Sequence, residues 1–240
     1  MGKCLFMRKG ETHTAPVGGI KASEIAVGSS VYLIENGSPV EYLVVNQGIP
    51  SSSSLYDSSC DGMWILRKDI LQKRKWASSN NSYADSAIHT YLNNTVFGLF
   101  DEITKNTIKQ VKIPYTNGMG YGGSVATGAN GLSTRVFLLS ATEIGIFPGM
   151  NVMYPNTEGA QLSYFEYGIG DSATAKRTAY FSGTQTAWWT RSPNTADQGS
   201  VLLSTCEWGT YSTQYGVRPA LILPHNALFD KNTLILKGVA

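Results

Sequence analysis

The chain has 240 residues, a formal charge of +2 and only 15% charged side chains, against about 25% in an ordinary soluble domain. Neutral polar residues replace the missing charge (24 Ser, 21 Thr and 14 Asn beside 25 Gly, 13 Tyr and 5 Trp), a loop-rich, β-leaning mixture whose 42% hydrophobic content still supplies a core. The balance excludes a long-range field for nucleic acid, since the longest basic run is Lys73-Arg74-Lys75, and no apolar stretch approaches the roughly 18–20 residues of a membrane span.

Residues 1–22 hold one strand-like stretch, Cys4 to Met7, then a polar segment that reaches Pro16 and Gly18-Gly19. This pattern suits an assembly arm whose strand edge pairs with a neighbouring subunit, and equally a terminal strand of the same domain. Met1 to Gly10 carries too few apolar residues for a signal-peptide core. The domain proper is expected over 23–240. Val31 to Ile34, Asn36-Gly37 and Val40 to Val45 read as strand, tight turn and strand, because Asn-Gly accepts the positive φ of a hairpin turn. Met63 to Arg67 is a further strand. A helix is expected from Ser82 as N-cap, with Asp85 three residues on and Ala84, Ala87, Ile88, Tyr91 and Leu92 on its buried face. A second amphipathic stretch sets Leu99, Phe100, Ile103 and Ile108 among Asp101, Glu102, Lys105 and Lys109. Residues 118–131 read as glycine-rich loop, Arg135 to Leu139 as a strand, and Ser140 to Glu143 as a capping box opening a short helix. Ala187 to Pro193, Ser200 to Cys206, Tyr215 to Leu223 and Thr233 to Leu236 then read as an antiparallel sheet. The expected class is α+β: one domain with two central helices, a C-terminal antiparallel sheet and long loops.

Residues able to carry chemistry are sparse. His13, His89 and His225 sit in no His-x-x-x-His or Gly-x-Ser-x-Gly frame. Cys206 has neither a base nor a cation beside it to activate the thiol. Cys4, Cys60 and Cys206 form neither a disulfide framework nor a zinc pattern. Asp57 and Asp61 supply two acids where calcium wants several oxygens, and the glycine-rich loop lacks the Lys-Ser or Lys-Thr of a phosphate loop. No catalytic residue, metal or cofactor is expected.

The most distinctive string is Trp188-Trp189-x-Arg191-Ser192-Pro193, followed by Gly216-Val217-Arg218-Pro219-Ala220. Neighbouring strand residues face opposite sides, so one tryptophan is expected in the core and the other over a second surface. Arg191 and Arg218 are the lone charges of their strands and are expected to clamp backbone carbonyls or a carboxylate. These two motifs resemble the C-type-lectin-like domains of many phage and gut-bacterial proteins, and they are similar to the variable proteins of diversity-generating retroelements. The resemblance covers about residues 28–225. It implies a compact α+β, C-type-lectin-like fold whose long loops display a binding surface. Glu-Pro-Asn, Gln-Pro-Asp and Trp-Asn-Asp, which hold calcium in sugar-binding lectins, are missing; Tyr154-Pro155-Asn156 lacks the carboxylate. Pro219 stands where the related formylglycine-generating enzymes have cysteine, so that oxidation is not implied either.

The binding surface is expected between the motifs, with Asn194, Asp197, Gln198, Ser204, Trp208, Thr210, Tyr211, Thr213 and Tyr215 as contacts. Aromatic rings give contact area at low entropy cost, and small polar groups give adaptable hydrogen bonds. The expected function is a non-catalytic ligand-binding module, displayed by a phage or prophage structural protein for recognition of a host surface protein or glycan. The alternative is a purely structural virion subunit without a ligand, and an enzyme ranks last. The expected setting is a virion protein made in the bacterial cytoplasm, homo-oligomeric and joined to other virion subunits through 1–22. Neither nucleic acid nor membrane insertion is expected.

Overall fold

The computed structural model describes residues 18–51, 53–78, 82–118, 123–147, 156–193, 199–202 and 209–240. In chain order its strands are β1 (Gly19–Lys21), β2 (Ser30–Glu35), β3 (Ser38–Gln47), β4 (Met63–Arg67), β5 (Gln72–Arg74), β6 (Val111–Ile113), β7 (Tyr115–Asn117), β8 (Ser124–Ala126) and β9 (Leu132–Thr134). There follow β10 (Tyr180–Phe181), β11 (Thr184–Gln185), β12 (Trp188–Pro193), β13 (Gly199–Leu202), β14 (Tyr215–Val217), β15 (Ala220–Leu223), β16 (Ala227–Asp230) and β17 (Leu236–Val239). The α-helical pieces are α1 (Ala87–Tyr91), α2 (Phe97–Leu99), α3 (Glu102–Thr107) and α4 (Asp171–Arg177). None of the described helices is long and apolar enough to cross a membrane.

Two four-stranded sheets organise the molecule. In the first, of order β15-β4-β3-β2, the β2–β3 hairpin turns through Asn36 at φ 48° and Gly37 at φ 78°, the positive values that an Asn-Gly pair tolerates. Met63, Trp64, Ile65 and Leu66 of β4 are all buried, as is every residue of β15, so this sheet is covered on both faces. Trp64 lies edge-on to Tyr56 and to Phe137, with ring centroids 5.6 and 5.7 Å away. The second sheet has the order β13-β12-β14-β5. Within it β12 and β14 run parallel, with Trp188 opposite Gly216, while β14 and β5 run antiparallel. A three-stranded sheet, β1-β16-β17, joins the two ends of the described chain.

This architecture overturns the α+β expectation. The molecule is mainly β, in several small sheets, and among the described residues its α-helical pieces run to seven residues at most. The C-type-lectin-like layout of two central helices with a C-terminal antiparallel sheet is not what the chain forms. The physical reasons are local. Ser86, not Ser82, caps α1, accepting the His89 N–H at 3.1 Å; the Ser82 hydroxyl is engaged with Asp85 at 2.7 Å instead. Asn93 then binds the chain at 134–136, accepting from Arg135 N–H and donating to Val136 O at 3.1 and 3.0 Å, and the helix passes into a single π-turn, Leu92–Val96. Phe100 leaves it as extended backbone bridged to Glu35. Asp101 starts α3 afresh by accepting from Thr104 N–H at 2.9 Å, so Leu99 and Phe100 stay outside it and Ile103 is 46% exposed.

The C-terminal stretches differ too. Tyr215 to Leu223 is not one strand but β14 and β15, in different sheets, broken at Arg218-Pro219 where proline has no N–H for a ladder. Arg135 to Leu139 makes one bridge, Phe137 to Ala220, rather than a strand. Trp188 and Trp189 are both buried, so neither caps an outer surface. Of the arm 1–22, residues 1–17 lie outside the described residues, while Gly19–Lys21 is β1, paired with β16.

Candidate functional site

Arg191 shows how the second sheet is tied to the rest. Its side chain is fully buried, and Nη1 and Nη2 each donate to Glu143 at 2.6 Å, one to each carboxylate oxygen. Nε donates to Pro114 O and Nη1 also to Leu138 O, both at 2.9 Å. Burial opposes the charge, but the Glu143 carboxylate outweighs it and holds the guanidinium protonated beyond its ordinary range. Glu143 also accepts Ser140 N–H at 2.9 Å and the Tyr56 hydroxyl at 3.1 Å, while Ser140 Oγ accepts Glu143 N–H at 3.0 Å. The capping box at Ser140 thus closes, on a 3-10 turn. A second buried carboxylate, Glu158, accepts from the Ser192 hydroxyl and from Thr116 N–H. Burial raises its pKa, with Arg191 and these donors pulling the other way. Arg218, also buried, donates from Nε to Arg67 O at 2.8 Å and lies 5.1 Å over the Trp188 ring. Desolvation lowers its pKa to about 10, which still leaves it charged at neutral pH. Both arginines act as clamps of the interior.

The surface opens where β5 meets α1. Strand β5 is the edge of the second sheet, with Tyr215 opposite Arg74 and Gly216 opposite Lys73. The close approach needs glycine: a Cβ at Gly216 would come within 2.6 Å of Ile70 Cδ1. A chain of rings backs this edge. Tyr215 and Trp189 are 5.2 Å apart, Trp189 and Trp76 5.6 Å, Trp76 and Tyr83 5.6 Å, and Tyr83 and His89 5.1 Å. Trp189 Nε1 donates to Arg74 O at 2.8 Å. Trp76 N–H donates to Tyr211 O and accepts from Ile88 N–H at its own carbonyl, both at 3.0 Å, so one residue fastens three chain segments.

Against this backing lies a groove of about 490 Å³, lined by Gln72, Lys73, Arg74 and Lys75 on one side, Ser212 and Gln214 on another, and the methyls of Ala77 and Ala87. A second hollow of about 320 Å³ shares Arg74 and Ala87 and continues past Thr90, Tyr91, Asn94 and Thr95. Asn94 and Thr95 belong to the π-turn, a local widening of the helix that recurs at functional sites. The Arg74 guanidinium stacks 4.1 Å over the Tyr91 ring, and Lys73 Nζ lies 5.4 Å over Phe181. Among the described residues the side chains of Lys73, Arg74 and Lys75 have no carboxylate partner and donate no hydrogen bond. His89, on α1, sets Nδ1 3.2 Å from Ala84 O; burial lowers its pKa, which keeps the ring neutral at pH 7.

Of the expected contacts, Asn194, Asp197, Gln198, Ser204 and Trp208 lie outside the described residues. Thr210 and Thr213 are exposed, with their hydroxyls 2.8 Å apart in the turn before β14. Tyr211 and Tyr215 are half-buried, and Tyr215 packs edge-on against Trp189 as part of the backing. Their neighbours Ser212 and Gln214 reach the groove. The sequence does not single out Tyr91, Asn94 or Thr95 as contacts, and it offers Lys73 to Lys75 only as a basic run too short for nucleic acid.

No curated protein and no solved structure matches the chain. A family described as "Domain of unknown function (DUF6273)" matches residues 61–225. That span contains β5, α1, the π-turn and β14, and with them every residue named in the groove. The chain therefore belongs to the DUF6273 family.

Proposed function

We propose that this protein is a non-catalytic ligand-binding domain whose ligand seats in the groove between β5, α1 with its π-turn, and residues 210–214. The observation that carries the reading is the run of three cationic residues, Lys73, Arg74 and Lys75, without a carboxylate partner among the described residues, beside two adjoining hollows on an aromatic backing. Preformed concave sites with a few fixed polar groups are where ligands bind, and a rigid wall lowers the ordering cost of binding. Among the described residues the lining offers cations, hydroxyls and amides, groups suited to holding a polar ligand. Display on a phage particle, with a host surface protein or glycan as target, is part of the same proposal and rests on the sequence motifs at 188–193 and 216–220 alone.

Ala87 is exposed on α1 and borders both hollows, so Ala87→Trp should fill their junction without entering the core. A library of soluble glycans and peptides screened by amide chemical-shift perturbation should move residues 72–78, 87–95 and 212–214 together. In the Ala87→Trp variant the shifts should vanish while the melting temperature stays unchanged. Ligands that leave these residues unmoved, or that bind the filled groove as tightly, would overturn the reading.

A further inference from the structure

Resting on the groove reading, we propose that the ligand is an acidic oligosaccharide, whose carboxylate or sulfate oxygens are received by Arg74 and whose hydroxyls meet the amides and hydroxyls around it. Arg74 is the anchor because it borders both hollows, where they join. Its guanidinium is held by its face on Tyr91 at 4.1 Å, which leaves the in-plane N–H groups, the fork that matches an oxyanion, without a protein acceptor among the described residues. Lys73 and Lys75 flank it, two residues apart and so about 6.7 Å apart along an extended chain. Among the described residues the lining includes three cationic residues and no acidic one. A polyanion relieves their mutual repulsion, whereas a neutral ligand leaves it in place.

The neutral part of the lining decides between kinds of polyanion. Gln72, Gln214 and Asn94 present amides, and Ser78, Thr90 and Ser212 present hydroxyls. Each of these groups can donate and accept, which is what a sugar hydroxyl requires of its neighbours. Most of the surface of the larger hollow is apolar, yet its wholly apolar residues among the described ones are Ala77 and Ala87, and Tyr91 of the smaller hollow is covered by Arg74. An extended peptide gains its specificity from pockets for alternate side chains, and no such apolar pocket lies here among the described residues. The two hollows, about 490 and 320 Å³, meet at Arg74, so the occupant is a chain of several units rather than one small anion.

The test is calorimetric titration of the full chain with oligogalacturonate and with a heparin-derived hexasaccharide, against neutral maltohexaose and poly-glutamate. At least one acidic oligosaccharide should bind and maltohexaose should not. Binding should be lost near ~1 M salt, where the screening length falls to ~3 Å. Arg74→Lys keeps the charge but removes the fork, and should weaken binding about tenfold or more with an unchanged melting temperature. Lys73→Gln combined with Lys75→Gln should flatten the salt dependence. Wild-type affinity in Arg74→Lys would overturn the proposal. So would poly-glutamate binding with neither acidic oligosaccharide bound, or equal binding of maltohexaose; in both cases the groove reading survives, with a different ligand. If no titrant binds while the library screen still moves the groove residues, the oligosaccharide assignment alone falls. If nothing in the library moves them, the groove reading falls with it.

Discussion

Arg191 and Arg74 sit in one sheet, separated only by β14, and the fold treats them in opposite ways. Arg191 is fully buried, matched oxygen for oxygen by Glu143 and backed by the carbonyls of Pro114 and Leu138. Arg74 is half-buried on the face of Tyr91 and meets no carboxylate among the described residues. Burying an ion is costly unless a counter-ion and hydrogen bonds offset the lost hydration, whereas a cation in contact with water needs neither. The first arginine is therefore committed to holding chain segments together. The second, among the described residues, has no protein acceptor for its donors. The same sheet thus carries a fixed interior side and an available outer edge, and the contrast can be broken by experiment.

The largest effect should come from Arg191→Met. The substitution keeps most of the side-chain volume and leaves Glu143 buried without its partner, which costs about 3–5 kcal/mol in such sites. Urea unfolding should show the midpoint falling sharply. Adding Glu143→Gln should recover part of the loss, since it removes the stranded charge. A single variant as stable as wild type would show that the buried pair does not hold the fold.

A smaller, pH-dependent effect is expected at Glu158. Burial raises its pKa above the ordinary 4.5, against the pull of Arg191, Ser192 and Thr116. The folded state therefore keeps the proton longer than the unfolded state as the pH rises. Its contribution is fully present below about pH 4.5 and is lost as the pH climbs through the raised folded value. Glu158→Gln resembles the protonated form at every pH, so its stability relative to wild type should improve from about pH 4.5 upward. Parallel stability profiles for the two proteins would mean that folding does not shift the Glu158 pKa.

How much of this was legible in the sequence differs by element, for physical reasons. The β2–β3 hairpin was readable because Asn36-Gly37 fixes a local turn that no distant contact needs to decide. Arg191 and Ser140 were readable as a clamp and a cap, because a lone charge in an apolar strand and a Ser-x-x-Glu frame each demand a partner. The helix start is ambiguous in the sequence because two good caps compete: Ser82 and Ser86 both suit the N-cap, and Trp76, by accepting the Ile88 N–H, helps fix the later start. The break at Arg218-Pro219 is legible in principle from the proline, but the strand-forming residues on either side of it, Val217 and Ala220 to Leu223, read as one strand when joined across it. The groove was not legible. It is assembled from 72–78, 87–95 and 212–214, and nothing local says that Arg74 will lie on Tyr91. Five of the nine expected contacts lie outside the described residues, and of the other four Tyr215 belongs to the backing rather than to the lining.

The smallest effect on stability is expected at Arg74 itself. Arg74→Ala removes the stack on Tyr91, and a cation–π contact at an exposed site contributes about 0.5–1 kcal/mol. The hydrogen bond from Trp189 Nε1 is made to the main-chain carbonyl of Arg74, so it survives the substitution. No carboxylate is left unpaired, because none faces this guanidinium among the described residues. For a chain of this size a loss of 1 kcal/mol lowers the melting temperature by about 2–4 °C, and Arg74→Ala should stay within that range. The comparison is sharpest when Arg74→Ala and Arg191→Met are melted side by side. A drop for Arg74→Ala as large as that for Arg191→Met would make Arg74 part of the scaffold, and the groove would lose the free guanidinium on which its ligand assignment rests.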